Sequence, residues 1–261
     1  MAHAQQRLFV ETVSKCLAIQ YADTKILEIG SYDVNGSVRA YFPGSNYTGV
    51  DLTDGPGVDL VGKGEEVAYP DNSFDISISC ECFEHNPNWG QTLKNMHRMT
   101  KTGGVILFTC ATTGRLEHGT VRTSPRRSPG SQSIGWDYYK NLTERDIRNK
   151  IQISEMFSKY FFMTNKESKD LYFVGFKRGD GLILDIDINE LRIRCAAAQN
   201  ELNEKNAASV PFVKSVIVGA IKMPLIAAEI LPDRYYQEIA IRYSWYVERM
   251  RDGFKKLIKA R

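Results

Sequence analysis

The sequence predicts an α/β fold, in which short parallel strands alternate with helices. An apolar run from Ile26 to Ile29 is broken only by Glu28 and is followed by a polar, turn-forming segment that ends at Gly36. A second short strand ends in Asp51, about 20 residues after that turn begins, which is where dinucleotide-binding folds place an acid for ribose hydroxyls. Two further apolar runs follow, at residues 76–79 and 105–109.

The first strand is expected to lead directly into a ligand-binding turn. Apolar side chains recur at helical spacing over residues 5–20, so a helix should pack beside this strand. The turn is predicted to open into a helix at 37–42, whose free backbone N–H groups would face a ligand. Glu28 is costly at a buried strand end unless a ligand ammonium or hydroxyl pairs with it. An ordinary strand-to-helix turn explains the same pattern without a ligand.

The middle of the chain is predicted to combine one long loop with the rest of the sheet. Residues 111–142 form the longest irregular stretch, and their aromatic side chains argue against disorder. Such a loop is typical of a lid that carries substrate contacts. The other predicted elements are a helix at 88–99, a helix from Thr143 to about 160, strands at 161–166 and 171–177, and a further strand at 182–186.

Five motifs occur together in the order and spacing of a known family: LEIGS, GVDL, PDNSFDISIS, FEH and TKTGGVILF. Over residues 24–112 the chain resembles the class I S-adenosylmethionine-dependent methyltransferases of the methyltransferase type 11 kind. The resemblance implies a Rossmann-like three-layer α/β/α sheet in a domain spanning 1–180, with a substrate loop at about 112–142. A mainly helical extension, 181–261, would follow.

The resemblance also implies a site for S-adenosylmethionine, whose product is S-adenosylhomocysteine. The family's G-x-G-x-G turn keeps only Gly30 here, so other turn-forming residues must complete it. Lys63 stands where relatives often carry the acid that contacts the adenine amine, so the backbone of Gly64 and the carboxylate of Glu65 are predicted instead. The predicted cofactor residues are Glu28, Gly30, Ser31, Asp33, Gly36, Asp51, Leu52, Gly64, Glu65 and Cys80.

Two histidines are candidate proton acceptors for an acceptor hydroxyl. His85 follows the third strand and His118 lies in the long loop. A pocket wall and a loop hydrogen bond, respectively, are the simpler interpretations. Basic and aromatic residues of the loop could clamp a phosphate or carboxylate and stack on a sugar, although a solvated charged loop would look the same. The predicted substrate residues are Arg115, Arg122, Trp136, Tyr138 and Tyr139.

The function expected from these features is O-methylation of a sugar, a glycan or another small hydroxylated metabolite. A methyltransferase that acts on nitrogen or carbon is the alternative within the class. A non-catalytic module that keeps the cofactor fold and holds a partner is the alternative outside it. An NAD-dependent oxidoreductase is disfavoured because the G-x-G-x-x-G spacing is absent.

Composition sets further expectations for partners and location. The net charge of +3 does not favour nucleic acid, and the sequence shows no secretion signal or membrane-spanning run. Five cysteines without C-x-x-C spacing are typical of reduced thiols in a cytoplasmic protein and do not indicate a metal site. Residues 210–231 are apolar on nearly every face, which predicts burial in a homodimer or, as the alternative, against a membrane surface.

Overall fold

Seven strands build one mixed sheet in the computed structural model, which describes residues 3–17, 21–180 and 186–259. The strands are β1 (Lys25–Ile29), β2 (Asn46–Asp51), β3 (Leu60–Val61), β4 (Phe74–Cys80), β5 (Thr100–Ala111), β6 (Phe157–Asn165) and β7 (Asp170–Lys177). Their order across the sheet is β3-β2-β1-β4-β5-β7-β6. β7 runs antiparallel to both of its neighbours, and the pairs from β3 to β5 are parallel.

Helices cover both faces of the sheet. They are α1 (Ala4–Leu17), α2 (Trp89–Met99), α3 (Pro129–Ser133), α4 (Glu144–Lys150), α5 (Ile153–Met156), α6 (Ile188–Ala208), α7 (Phe212–Ala228) and α8 (Asp233–Lys259). Successive strand residues point to opposite faces, so Ile26 packs with α1 and α6, whereas Leu27 packs with α2 and α4. This arrangement is the predicted three-layer α/β/α fold with further helices at its C-terminus.

The α6 helix, which the sequence assigns to the extension after residue 180, lies on the sheet. Its buried Leu191 and Cys195 share a core with Phe9 and Val13 of α1. Gln199 donates a hydrogen bond to the backbone carbonyl of Gln5 at 2.7 Å. Residues beyond 180 therefore complete one face of the sheet.

Two predicted helices are wrong. Residues 37–42 contain only a single 3-10 turn, Arg39–Tyr41, because Pro43 and Gly44 follow too soon for a regular helix. The helix from Thr143 begins as predicted, with a capping box between Thr143 and Asp146, but it ends at Lys150 where Ile151 turns extended. Strand β6 consequently begins at Phe157. The predicted strand at 182–186 falls, except for its last residue, outside the described residues.

The long loop folds back on the first turns of α8. It contains a 3-10 turn, Pro125–Arg127, and the short helix α3. The Tyr236 hydroxyl donates to the Gly114 carbonyl at 2.7 Å, and the Asn141 amide donates to Asp233 at 2.9 Å. No helix among the described residues combines the length and the apolar character needed to cross a bilayer.

Candidate active site

A cleft that is open to solvent lies at the carboxyl ends of β1, β2 and β4. Ligands of parallel α/β sheets bind at this edge because the strand ends and the loops that follow them converge there. The three strand ends contribute Ile29, Gly30, Val50, Asp51, Leu52, Cys80, Glu81 and Cys82 to the lining. The sequence prediction of a site at these strand ends thus agrees with the position of the cleft.

The turn after β1 approaches β4 so closely that only glycine fits at its start. Gly30 has a φ of +86°, and a Cβ there would lie 2.6 Å from Cβ of Cys82. The Asp33 carboxylate accepts the N–H of Gly36 at 2.5 Å. A side-chain cap therefore holds the turn in place of the missing glycines, and the role predicted for Asp33 and Gly36 as turn formers has a physical basis.

Asp51, at the end of β2, is one of the residues that line the cleft. Its Oδ2 accepts the N–H of Tyr32 at 3.0 Å, and its Oδ1 accepts the N–H of Leu52 at 2.7 Å. Burial raises the pKa of Asp51, and the two backbone donors partly offset this effect. Each oxygen keeps a further lone pair, so the fixed carboxylate can accept hydrogen bonds from ribose hydroxyls.

Other predicted cofactor residues differ in their distance from the cleft. Gly64 lines it, whereas the Glu65 carboxylate is held by Asn88 at 2.8 Å and by Thr92 at 3.1 Å. Glu28 is not among the lining residues, and its carboxylate accepts the Tyr47 hydroxyl at 2.8 Å. Ser31 is buried, and its hydroxyl has no hydrogen-bond partner within the described part of the chain.

The opposite wall of the cleft comes from the long loop, which contributes Arg127, Ser128, Pro129, Gly130, Ser131 and Trp136. A Cβ on Gly130 would lie 2.4 Å from Oδ1 of Asp51, so the loop backbone rests directly on that carboxylate. Of the five predicted substrate residues, Trp136 alone is among the lining residues. The arginine of this loop that reaches the cleft is Arg127.

Arg115 and Arg122 are engaged elsewhere. Arg115 donates to the carbonyl of Ser168 at 2.5 Å and faces Asp170 at 3.5 Å. Arg122 pairs with Glu117 at 2.6 Å and with Glu238 at 2.5 Å. These ion pairs attach the loop to β7 and α8.

The two candidate histidines form one aromatic cluster with Tyr139 beside the cleft. The rings of His85 and His118 are 4.9 Å apart, and Tyr139 lies 5.4 Å from the first and 5.1 Å from the second, all edge to face. His85 lines the cleft, and His118 is not among the lining residues. The structure therefore brings the two candidates together and gives them different access to a ligand. Tyr138 contributes a backbone hydrogen bond to His85.

Burial favours the neutral form of both imidazoles. Burial holds the pKa of His85 well below its usual value and lowers that of His118 to about 4. Nδ1 of His118 donates to the Leu116 carbonyl at 3.0 Å, which leaves Nε2 as the acceptor. Nδ1 of His85 is buried without a hydrogen-bond partner among the described residues. A neutral imidazole with an unused nitrogen can accept a proton.

Glu84 lies next to this pair. It is fully buried, and neither carboxylate oxygen has a hydrogen-bond partner within the described residues. Burial and the nearby Glu81 raise the pKa of Glu84 well above its usual value. One ligand atom each from Glu84, His85 and His118 lies within 4.8 Å of the other two, so these are residues that could hold a metal ion. A second such group is His3, Glu81 and Asp170.

Sequence reasoning missed several residues that line the cleft: Tyr32, Val34, Glu81, Cys82, Asn86 and Arg127. Glu81 has a φ of +51°, the left-handed region that non-glycine residues seldom adopt. Nothing in the local sequence signals that conformation. Arg127 carried a usable signal, since it precedes the Ser128-Pro129-Gly130 turn that approaches Asp51.

Comparison with known proteins finds one family model that matches the part of the chain around the cleft. Residues 27–108 match a family model described as "Methyltransferase domain". No match was found among curated proteins.

Similar solved structures include the YcgJ protein from Bacillus subtilis, at 12% identity and a TM-score of 0.45, over 66% of this chain and 99% of the other. The 1,6-didemethyltoxoflavin-N1-methyltransferase from Burkholderia thailandensis is 18% identical over 64% of this chain and 79% of its own, with a TM-score of 0.44. A putative methyltransferase from Bacillus halodurans is 11% identical over 66% of this chain and 99% of its own, with a TM-score of 0.46. The family match covers residues 27–108, under a third of the chain, and agrees with the resemblance of the five motifs to the class I S-adenosylmethionine-dependent methyltransferases.

Proposed function

We propose that this protein transfers a methyl group to a hydroxyl of a small polar acceptor, with a sugar as the favoured class. The observation that carries the proposal is the position of His85, which lines the cofactor cleft and also belongs to the buried cluster with His118. A hydroxyl acceptor needs a group that accepts its proton, and a neutral imidazole at the cleft wall meets that need.

The cofactor side of the cleft fits S-adenosylmethionine. Asp51 offers lone pairs for ribose hydroxyls, and Gly30 lets the backbone approach the ligand without a Cβ. The buried Ser31 hydroxyl, which lacks a partner among the described residues, is a further polar group for the methionine part. When bound, this cofactor supplies an electrophilic methyl group on a sulfonium.

His85 is the residue we assign to the acceptor proton. The imidazole of His85 would receive the hydroxyl proton as the acceptor oxygen becomes nucleophilic. His118 and Tyr139 pack edge to face against the ring and hold its orientation.

The loop wall accounts for the acceptor class. Trp136 offers an aromatic face on which a sugar ring can stack, and Arg127 places a guanidinium at the opening, where it can bind a phosphate or carboxylate. Together they favour an acceptor with hydroxyls and an anionic group. An amine or carbon acceptor is the alternative within the class, and a cofactor-fold module without activity is the alternative outside it.

A methyl-transfer screen with radiolabelled S-adenosylmethionine against sugars, sugar phosphates and nucleotide sugars tests the proposal. We expect a methylated hydroxyl product, with an anionic sugar as the better acceptor. Products methylated at nitrogen would indicate an amine acceptor instead of a hydroxyl acceptor. Calorimetric binding of S-adenosylhomocysteine, with no transfer to any acceptor class, would favour the binding module.

A further inference from the structure

The α7 helix exposes apolar side chains on every side. Val216, Ile217, Val218 and Ile226 are 55, 54, 37 and 55% exposed. At about 100° per residue these four positions lie roughly a quarter turn apart around the helix axis. A helix that is apolar all round is normally buried. This helix therefore requires a surrounding that the described chain does not provide.

Among the side chains that the structure describes, those near the C-terminal end of α7 are covered by α8. Leu225 and Ala228 pack against Tyr236 and Ala240 of α8. The Tyr243 hydroxyl also donates to the Ile221 carbonyl at 2.8 Å. These contacts join α7 and α8 into a helical pair, which we call the C-terminal hairpin, but they leave most of the apolar surface of α7 open.

The α8 helix also exposes aromatic residues. Tyr235, Trp245 and Tyr246 are 50, 61 and 57% exposed. Tyrosine and tryptophan combine a large apolar ring with one polar atom, and they are enriched where membranes meet water. Their exposure on the C-terminal hairpin is unusual for surface that faces water alone.

Charge separates this region from the rest of the chain. Residues 210–261 contain ten Lys and Arg against five Asp and Glu, whereas residues 1–209 contain 24 against 26. The C-terminal region is thus +5 and the remainder is −2. Lys214 and Lys222 interrupt α7, and long basic side chains can keep their charge at an interface while the helix lies in apolar surroundings. A positive, apolar hairpin complements a surface of anionic lipids.

We propose that the C-terminal hairpin binds the surface of a bilayer that contains anionic lipids, with α7 lying in the interface. None of the described helices can span a bilayer, so α7 lies along the membrane plane. A second copy of the chain, which the sequence favours, is the competing occupant of this surface. It would bring two regions of +5 together.

The C-terminal hairpin is fastened to the catalytic domain, so binding would position the whole protein. Glu229, just after α7, pairs with Lys169 at 2.8 Å. The Tyr236 hydroxyl bonds the Gly114 carbonyl at the start of the long loop. The membrane proposal does not depend on the acceptor or on the catalytic role of His85.

Sedimentation of the full chain with vesicles tests the proposal, using phosphatidylcholine alone and phosphatidylcholine mixed with phosphatidylglycerol. We expect binding to the mixed vesicles, weakened by salt, and a blue shift of tryptophan fluorescence that is lost in Trp245→Phe. The double variant Ile217→Glu, Ile221→Glu should bind the mixed vesicles at least about tenfold more weakly than the wild type. Ile193→Glu is the matched control, because Ile193 is an exposed apolar residue of α6, and it should bind like the wild type.

Circular dichroism and S-adenosylhomocysteine binding must be the same in all variants, which separates this test from that of the methyl-transfer proposal. Equal sedimentation of the wild type and the double variant would overturn the membrane proposal. A second combination of results would also overturn it. The wild-type protein would bind neither kind of vesicle, light scattering would show it to be a dimer, and the double variant would be a monomer.

Discussion

Gln237 of α8 and Glu117 of the long loop lie 120 residues apart, yet Oε1 of Gln237 accepts the N–H of Glu117 at 2.9 Å. The same amide donates through Nε2 to the carbonyl of Arg115 at 2.9 Å. Gln237 is 3% exposed, so it satisfies two backbone groups that water reaches poorly. The C-terminal helix therefore fixes the segment that carries His118.

Gln237→Ala should loosen this segment. Removing both bonds from buried backbone groups is expected to cost about 1–3 kcal/mol of unfolding free energy. Urea denaturation measures the loss, and hydrogen exchange should speed up at Arg115 to His118. Gln91→Ala, on the exposed face of α2, is the control and should change neither. Unchanged exchange in the Gln237 variant would mean that other contacts hold the loop.

Asp51→Ala should weaken cofactor binding. The carboxylate accepts two backbone bonds and lines the cleft, so its loss should cost about 1.5–3 kcal/mol of binding free energy, the range for hydrogen bonds to charged groups. Calorimetric titration with S-adenosylhomocysteine measures this change. Asp54→Ala, an exposed neighbour, serves as the control. An unaltered affinity in a folded Asp51 variant would remove Asp51 from the site.

His85→Ala should lower turnover by about 10²- to 10⁴-fold while the affinity for S-adenosylhomocysteine stays intact. His118→Ala should have the smaller effect, because His118 supports the His85 ring and is not among the residues that line the cleft. The reverse order would make His118 the proton acceptor. Loss of wild-type activity on treatment with a chelator would instead indicate a metal at Glu84, His85 and His118.

Glu28→Gln should change how stability depends on pH. Burial raises the pKa of Glu28 to about 7, and the Tyr47 hydrogen bond offsets part of this effect. The folded state therefore holds the Glu28 proton more tightly than the unfolded state does. The stability that this proton contributes is complete below the unfolded pKa of about 4.5 and is lost as pH rises through 7.

The Glu28→Gln variant has no carboxyl group to titrate at this position, so it does not lose this stability as pH rises. Relative to the wild type, it should gain unfolding free energy between pH 4.5 and pH 7.5, by about 3 kcal/mol at most, since one pKa unit is worth about 1.4 kcal/mol. Urea denaturation at the two pH values measures the change. Parallel stability profiles for the two proteins would show that Glu28 is ionised when folded.

Strand direction sets which of the predicted residues the fold brings to the cleft. Asp51 and Cys80 end parallel strands, and Gly30 directly follows one, so the fold brings them to one edge whatever the loops do. The loop arginines could not be assigned in this way. The partners of Arg115 and Arg122 include Asp170 and Glu238, which are distant in sequence, and only the folded chain shows that these cations are already paired.

Glu28 and α6 show the same dependence on distant partners. The sequence indicates that a buried Glu28 needs a partner but does not say that Tyr47 of the neighbouring strand supplies it. Apolar and polar residues are not clearly separated around α6. The sequence therefore does not single out the few residues, such as Leu191 and Cys195, that pack this helix against the sheet. Pairing across strands and docking over long separations depend on the fold and not on local pattern.

The contact of Gly130 with Asp51 bears on the order in which reactants come and go. Backbone from the loop lies over the carboxylate that is to hold the ribose, and the same loop supplies Trp136 to the acceptor side. A nucleoside held by Asp51 would lie against this stretch of backbone, which leads on to Trp136. Steady-state kinetics should therefore show compulsory-order addition, with the cofactor first and its demethylated product released last.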